Sequence, residues 1–99
     1  MRVFWTPEAR ARLLEIQAYI ARDSPAGARR VAAQLLRRSR QLAVPPTLGR
    51  RLPKYPEAEL REILIRPFRM IFRVTAAQIQ IITIKHYRQK LPKSEQRLR

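Results

Sequence analysis

The sequence predicts an α+β domain: a first strand, an antiparallel two-helix hairpin, then a three-stranded antiparallel sheet. Three observations predict it. A Thr-Pro-Glu signal at Thr6-Pro7-Glu8 and a Ser-Pro signal at Ser24-Pro25 each open a stretch with apolar residues at helical spacing. The second half carries three short β-branched and aromatic runs separated by turn-sized gaps, Leu60–Ile65, Arg69–Val74 and Ile79–Ile84. The chain has 99 residues and is 45% hydrophobic, enough for one core and one domain. That domain is expected to span residues 1–92, with residues 93–99 as a basic C-terminal tail.

Arg2 to Trp5 is short, apolar and aromatic, and reads as an edge strand. Thr6 is a good N-cap, Pro7 suits the first helical position, and Glu8 complements the positive end of the helix dipole. Ala9, Leu13, Ile16 and Ile20 fall on one stripe, so the first helix runs from about Pro7 to about Arg22. Ser24 and Pro25 open the second. Its inward stripe is Ala28, Val31, Leu35, Ser39 and Leu42, with Arg29, Arg30, Arg37, Arg38 and Arg40 mostly outside it, and Pro45-Pro46 ends it. The three-residue joint makes the pair an antiparallel hairpin.

Pro45 to Pro56 holds four prolines and one glycine and reads as a loop, with Arg50, Arg51 and Lys54 on it. Strands follow at Leu60–Ile65, Arg69–Val74 and Ile79–Lys85, joined by turns at Arg66-Pro67-Phe68 and Thr75–Gln78. Ordered structure is expected to fade near Pro92.

Side chains alternate across a strand. Met70, Phe72 and Val74 therefore share the face toward the helices, and Arg69, Ile71 and Arg73 share the other. Leu60, Glu62 and Leu64 oppose Arg61, Ile63 and Ile65 without a clear choice of face. The last strand is apolar on both sides, Ile79, Ile81 and Thr83 against Gln80, Ile82 and Ile84. Isoleucines interleaved with arginines on neighbouring strands point to a groove that a partner element covers.

Charge sets the kind of partner. Twenty-two Lys and Arg against seven Asp and Glu give +15. Such a field draws polyanions or acidic proteins. No Cys and one His exclude a disulfide framework, a Cys zinc site and a His-rich metal site, so no cofactor is expected. Met1 to Trp5 lacks the apolar stretch of a signal peptide, and no run approaches bilayer length. A cytoplasmic protein with no membrane partner is expected.

Two kinds of chemistry fit the exit of the sheet. Cleaving RNA through its 2′-hydroxyl needs a base, an acid and cations for the phosphorane. His86, Tyr87, Arg61, Arg69 and Arg73 are candidates, with Lys54 from the loop and Glu57 as an alternative base. His86 equally suits a strand end hydrogen-bonded to main chain, and Tyr87 suits packing of the tail. In the second chemistry Arg61, Ile63, Arg69, Ile71, Arg73, Lys85 and Arg88 form a surface for an acidic protein. A flexible acidic segment would bury Ile63 and Ile71 and pair with the arginines, so Arg69→Glu or Arg73→Glu should weaken binding far more than Arg99→Glu. Trp5 reads as a core anchor.

The residues also carry a resemblance. Tyr19 to Arg30 is similar to the interhelical joint of the RelE/ParE superfamily of bacterial toxins. Leu42-Ala43-Val44-Pro45-Pro46-Thr47-Leu48-Gly49-Arg50 resembles its Leu-x-x-x-Pro-x-x-Gly-Arg signature. Leu60-Arg61-Glu62 and Phe68 to Val74 resemble its Leu-Arg-Glu and Tyr-Arg-Ile-Ile-Tyr-Arg-Val strands, with Phe68 and Phe72 in place of Tyr. Ile84 to Gln89 resembles its closing Val-x-His-x-Arg-x. The joint and the Pro-Gly-Arg loop look most like the ParE branch. That resemblance implies a plasmid-stabilisation toxin that inhibits DNA gyrase and forms a hetero-oligomer with an acidic, partly disordered ParD-like antitoxin. His86-Tyr87 is similar to the terminal His-Tyr of YoeB-type ribonucleases, which implies ribosome-dependent cleavage of messenger RNA instead.

Overall fold

Thr6 and Ser24 both cap helices as the sequence predicts, and Thr6 also ties its helix to the sheet. In the computed structural model, which describes residues 1–43, 49–55 and 59–98, the Oγ1 of Thr6 accepts the Ala9 N–H at 3.1 Å and donates to the Ile81 carbonyl at 2.8 Å. The Oγ of Ser24 accepts the Gly27 N–H at 2.9 Å. Each cap contributes about 1 kcal/mol.

The elements in order are β1 (Arg2–Trp5), α1 (Pro7–Ala21), α2 (Pro25–Gln41), β2 (Arg50–Arg51), β3 (Leu60–Ile65), β4 (Phe68–Val74), β5 (Gln78–His86) and a 3-10 turn at Glu95–Leu98. The strands form one five-stranded sheet in the order β1-β5-β4-β3-β2. The class is α+β as predicted and the first strand is an edge strand as expected, but the sheet has five strands. β1 lies at the edge and pairs parallel with β5, Arg2 opposite Gln78. Arg50 and Arg51, within the stretch read as loop, form a two-residue strand against Glu62 and Arg61. A run that short gives no periodic signal in a sequence. The remainder of that loop reading falls on residues 44–48 and 56–58, outside the described residues.

The helices cover one face. Ala9, Leu35 and Leu42 pack with Ile63, Ile65, Met70, Phe72, Ile79, Ile81 and Ile84, and Trp5 leans on the same cluster. The indole N–H of Trp5 donates to the Ser39 hydroxyl at 3.2 Å, which donates in turn to the Leu36 carbonyl at 2.7 Å. That relay lets the polar tip of a core anchor and a buried serine sit inside.

Strict alternation fails on β5. Ile71 pairs with Thr83 but Phe72 pairs with Ile81, so Ile82 is an extra residue in a β-bulge. The bulge shifts the alternation by one. Ile79, Ile81 and Ile84 therefore all face the helices, and Ile82 faces the other way.

The other face of the sheet is no open groove. Leu52, Tyr55, Leu60, Ile71, Ile82, Leu91 and Leu98 make a second core there. Ile71 is fully buried and Leu98 is 1% exposed. Lys54 Nζ donates to the Leu91 carbonyl at 2.8 Å, the Tyr55 hydroxyl donates to the Pro92 carbonyl, and Arg73 pairs with Glu95 at 3.1 Å. The chain's own C-terminal segment thus covers the apolar strip that was expected to await a partner. The reason is hydrophobic: Leu91 and Leu98 are the two apolar side chains of a polar stretch, and burying each stabilises by roughly 1.5–3 kcal/mol. Order therefore continues past Pro92. Among the described residues, no helix is long and apolar enough to cross a membrane.

Candidate functional site

Glu62 organises the cationic end of the sheet. It faces away from the helices, opposite Ile71 on β4 and Arg50 on β2, and is 1% exposed. Arg50 gives Nε–H and Nη2–H to its Oε1, both at 2.8 Å. Arg69 gives the same two groups to Oε2, at 2.8 and 2.6 Å. A buried carboxylate is tolerated only when its oxygens are paired in this way. The two pairs differ in setting, because the Arg69 side chain is 14% exposed and that of Arg50 is 67% exposed.

Gly49 makes the Arg50 contact possible. Its φ is +89°, and a Cβ there would lie 2.5 Å from the Glu62 carbonyl oxygen and 2.7 Å from Ile63 Cγ2. Only glycine allows both that dihedral and that approach to β3.

Arg50, Glu62, Leu64, Arg66, Pro67, Arg69 and Tyr87 enclose an open cleft of about 610 Å³. Leu64 and Tyr87 are its exposed apolar wall, at 52% and 46%. Tyr87 is held from three sides. Its N–H donates to the Pro67 carbonyl at 2.8 Å, its ring stacks on His86 with centroids 5.0 Å apart, and its hydroxyl accepts Arg88 Nε–H at 2.9 Å. The Arg88 guanidinium lies 5.4 Å over the same ring.

The predicted site residues are dispersed. Arg69 and Tyr87 line this cleft. His86 and Lys85 line another cavity, with Arg12, Glu15 and Phe68. His86 Nδ1 accepts the Arg88 N–H at 3.2 Å, the main-chain bond expected of a strand-end histidine. Arg73 lies beside Thr6, Pro7, Gln80 and Ile82. Arg61 lies with Arg51, Glu59 and Val74. So of the residues proposed for phosphorane chemistry, Tyr87 and Arg69 share one cleft, whereas His86, Arg61 and Arg73 each border a different cavity, and the His86 and Tyr87 rings stack. Lys54 is engaged with Leu91, and Glu57 and Arg99 lie outside the described residues.

The partner-binding set also separates. Arg61 pairs with Phe72 across β3 and β4, which puts it on the helix side, and its Nη1 approaches the Gly49 carbonyl at 3.5 Å. Arg69 and Arg73 share the opposite face, so the three sheet arginines do not form one surface. The ambiguous parity of β3 caused the misplacement. Ile63 belongs to the helix-side core and Ile71 to the second core, and neither is open to a partner. Arg88 is exposed.

Glu62, Arg50, Leu64 and Arg66 were not singled out from the sequence as a group. A signal existed: Glu62 is one of only seven acids and sits within a strand, where a carboxylate must find cations. Tyr55, near Arg69 and Glu95, has its phenol pushed up from the usual value by burial, with Arg69 opposing and Glu95 adding to the shift. Among the described residues, no three His, Cys, Asp or Glu side chains converge as a metal would require.

A family profile described as "ParE toxin of type II toxin-antitoxin system, parDE" matches residues 3–91. A protein of Sinorhizobium fredii (strain NBRC 101917 / NGR234) bearing the name "Putative toxin Y4kP" is 36% identical over 93 residues, covering 92% of this chain and 93% of that protein. A solved structure titled "Chromosomal ParDE TA system from P. aeruginosa" superposes with a TM-score of 0.72 at 28% identity, over 87% of this chain and 95% of that one. The family profile spans most of the sequence, and the chain belongs to the ParE toxin family of type II toxin–antitoxin systems.

Proposed function

We propose that this toxin inhibits DNA gyrase by binding it, and that an acidic ParD-like antitoxin neutralises it. The observation that carries the reading is the dispersal of the ribonuclease candidates. General acid–base cleavage requires base, acid and phosphate-binding cations within hydrogen-bond reach of one reacting centre. Tyr87 and Arg69 share one cleft, but His86, Arg61 and Arg73 each border a different one. A toxin that works by occupying a surface of its target needs no such convergence. The charge of +15 supports an acidic neutralising partner.

The test is supercoiling by purified gyrase with the toxin added, with and without its antitoxin. Inhibition that accumulates cleaved DNA and is relieved by the antitoxin is the expected result. An unaffected gyrase overturns the reading. The stacked His86 and Tyr87 rings beside Arg88 support one alternative, ribosome-dependent RNA cleavage. A translation assay with His86→Ala separates the two, since loss of toxicity there with gyrase untouched favours the nuclease.

A further inference from the structure

We propose that the cleft between Arg50, Leu64, Arg69 and Tyr87 receives an acidic side chain and an adjoining bulky apolar side chain of an extended peptide, with Glu62 as the positioning residue. The proposal rests on the reading of an acidic antitoxin as partner.

The lining selects this ligand. Arg50 and Arg69 present Nε and Nη2 to Glu62, which fixes the plane of each guanidinium and leaves the Nη1 side of each for another acceptor. Arg66 lines the same cleft. Beside these cations stand Leu64, Pro67 and the Tyr87 ring. Leu64 is half-exposed on a strand whose neighbours Ile63 and Ile65 are buried, so its apolar surface is uncovered beside Arg50, Arg66 and Arg69. A nucleic-acid backbone calls for a run of uncompensated cations. Here a buried carboxylate already offsets part of the charge, and an apolar wall would be wasted on phosphates. A carboxylate flanked by a leucine-sized group satisfies both halves, and about 610 Å³ accommodates two such side chains.

The experiment uses the full-length 15N-labelled protein and three probes: an acetylated, amidated eight-residue peptide of alternating Leu and Glu, the same peptide with Ser for Leu, and hexauridylate. The Leu-Glu peptide is expected to shift the amides of Leu64 and Tyr87 and the Nε–H signals of Arg50 and Arg69. The Ser-Glu peptide should bind about tenfold more weakly, and Leu64→Ser should cost the Leu-Glu peptide a similar factor. Equal binding of both peptides, preferred binding of hexauridylate, or absence of shifts at the cleft would overturn the proposal.

Glu62→Gln tests the positioning role. A carboxylate acting only as a competing charge predicts tighter peptide binding when it is neutralised. A positioning residue predicts weaker binding, with the Arg50 and Arg69 Nε–H signals moving to solvent-exposed positions. If Glu62→Gln does not fold, Leu64→Ser decides the cleft, because Leu64 is a surface residue whose replacement leaves both cores intact. Failure of the antitoxin reading is separable: a natural antitoxin that binds elsewhere leaves the peptide shifts in place.

Discussion

Arg69 and Glu62 form a fork on a single oxygen, with Nε and Nη2 of the arginine at 2.8 and 2.6 Å from Oε2. Arg50 makes the matching fork on Oε1. The geometry is nearly symmetric, but the surroundings are not. Arg69 is largely enclosed, whereas Arg50 is mostly in water. Removing Arg69 should therefore strip a buried charge of its desolvated partner, at about 3 kcal/mol. Removing Arg50 should cost less, about 1–2 kcal/mol, because Arg50 itself stands mostly in water although its loss leaves the buried Oε1 of Glu62 without a partner. Urea unfolding of Arg69→Ala and Arg50→Ala measures both, and equal losses would show that the asymmetry of burial does not govern the pair.

Gly49→Ala should destabilise by roughly 2 kcal/mol, from the positive φ and the clash with the backbone of Glu62. The loss should be accompanied by release of Arg50, visible as a sharpened, solvent-like Nε–H resonance. An unchanged melting midpoint would mean that β2 relaxes away from β3 without penalty.

Leu98→Ala should cost about 2–3 kcal/mol, the value for truncating a leucine in a packed site. Ending the chain after Pro92 should go further and expose Ile71 and Ile82. Binding of a hydrophobic dye that rises on truncation is the readout. A truncated chain as stable as the full one would restore the view of this segment as a mere basic tail.

Alkaline pH should weaken the fold through Tyr55. Its folded-state pKa lies above the unfolded value near 10. The folded state therefore holds the phenolic proton longer than the unfolded chain does. That contribution is complete below pH 10 and is lost as pH rises through the folded pKa. Stability of the native protein should fall more steeply above pH 10 than that of Tyr55→Phe. Parallel pH profiles would assign the alkaline loss to other groups.

Much of the architecture was legible because local chemistry and global fold agree. Thr6 and Ser24 cap as their residue types demand, and Met70 and Phe72 face the helices as alternation requires. The second face was misread for two physical reasons. The bulge at Ile82 breaks the period of two, and no local pattern in Gln80 to Ile84 announces it. The cover supplied by Leu91 and Leu98 is a contact between distant parts of the chain, which periodicity cannot report. The site was harder still. Its carboxylate, Glu62, gains its role only when β2, β3 and β4 lie side by side, so Arg50 and Arg69, far apart in sequence, meet there.

The parallel pairing of β1 with β5 also bears on how the toxin is born. Arg2 is made well before Gln78, and it waits for that residue before it has a neighbour on the sheet. At a synthesis rate of about 5–20 residues per second, that wait lasts on the order of several seconds. During it the aromatic edge strand, Phe4 and Trp5 included, has no place in the sheet. A growing chain of this topology therefore holds an unfinished sheet until β5 has emerged.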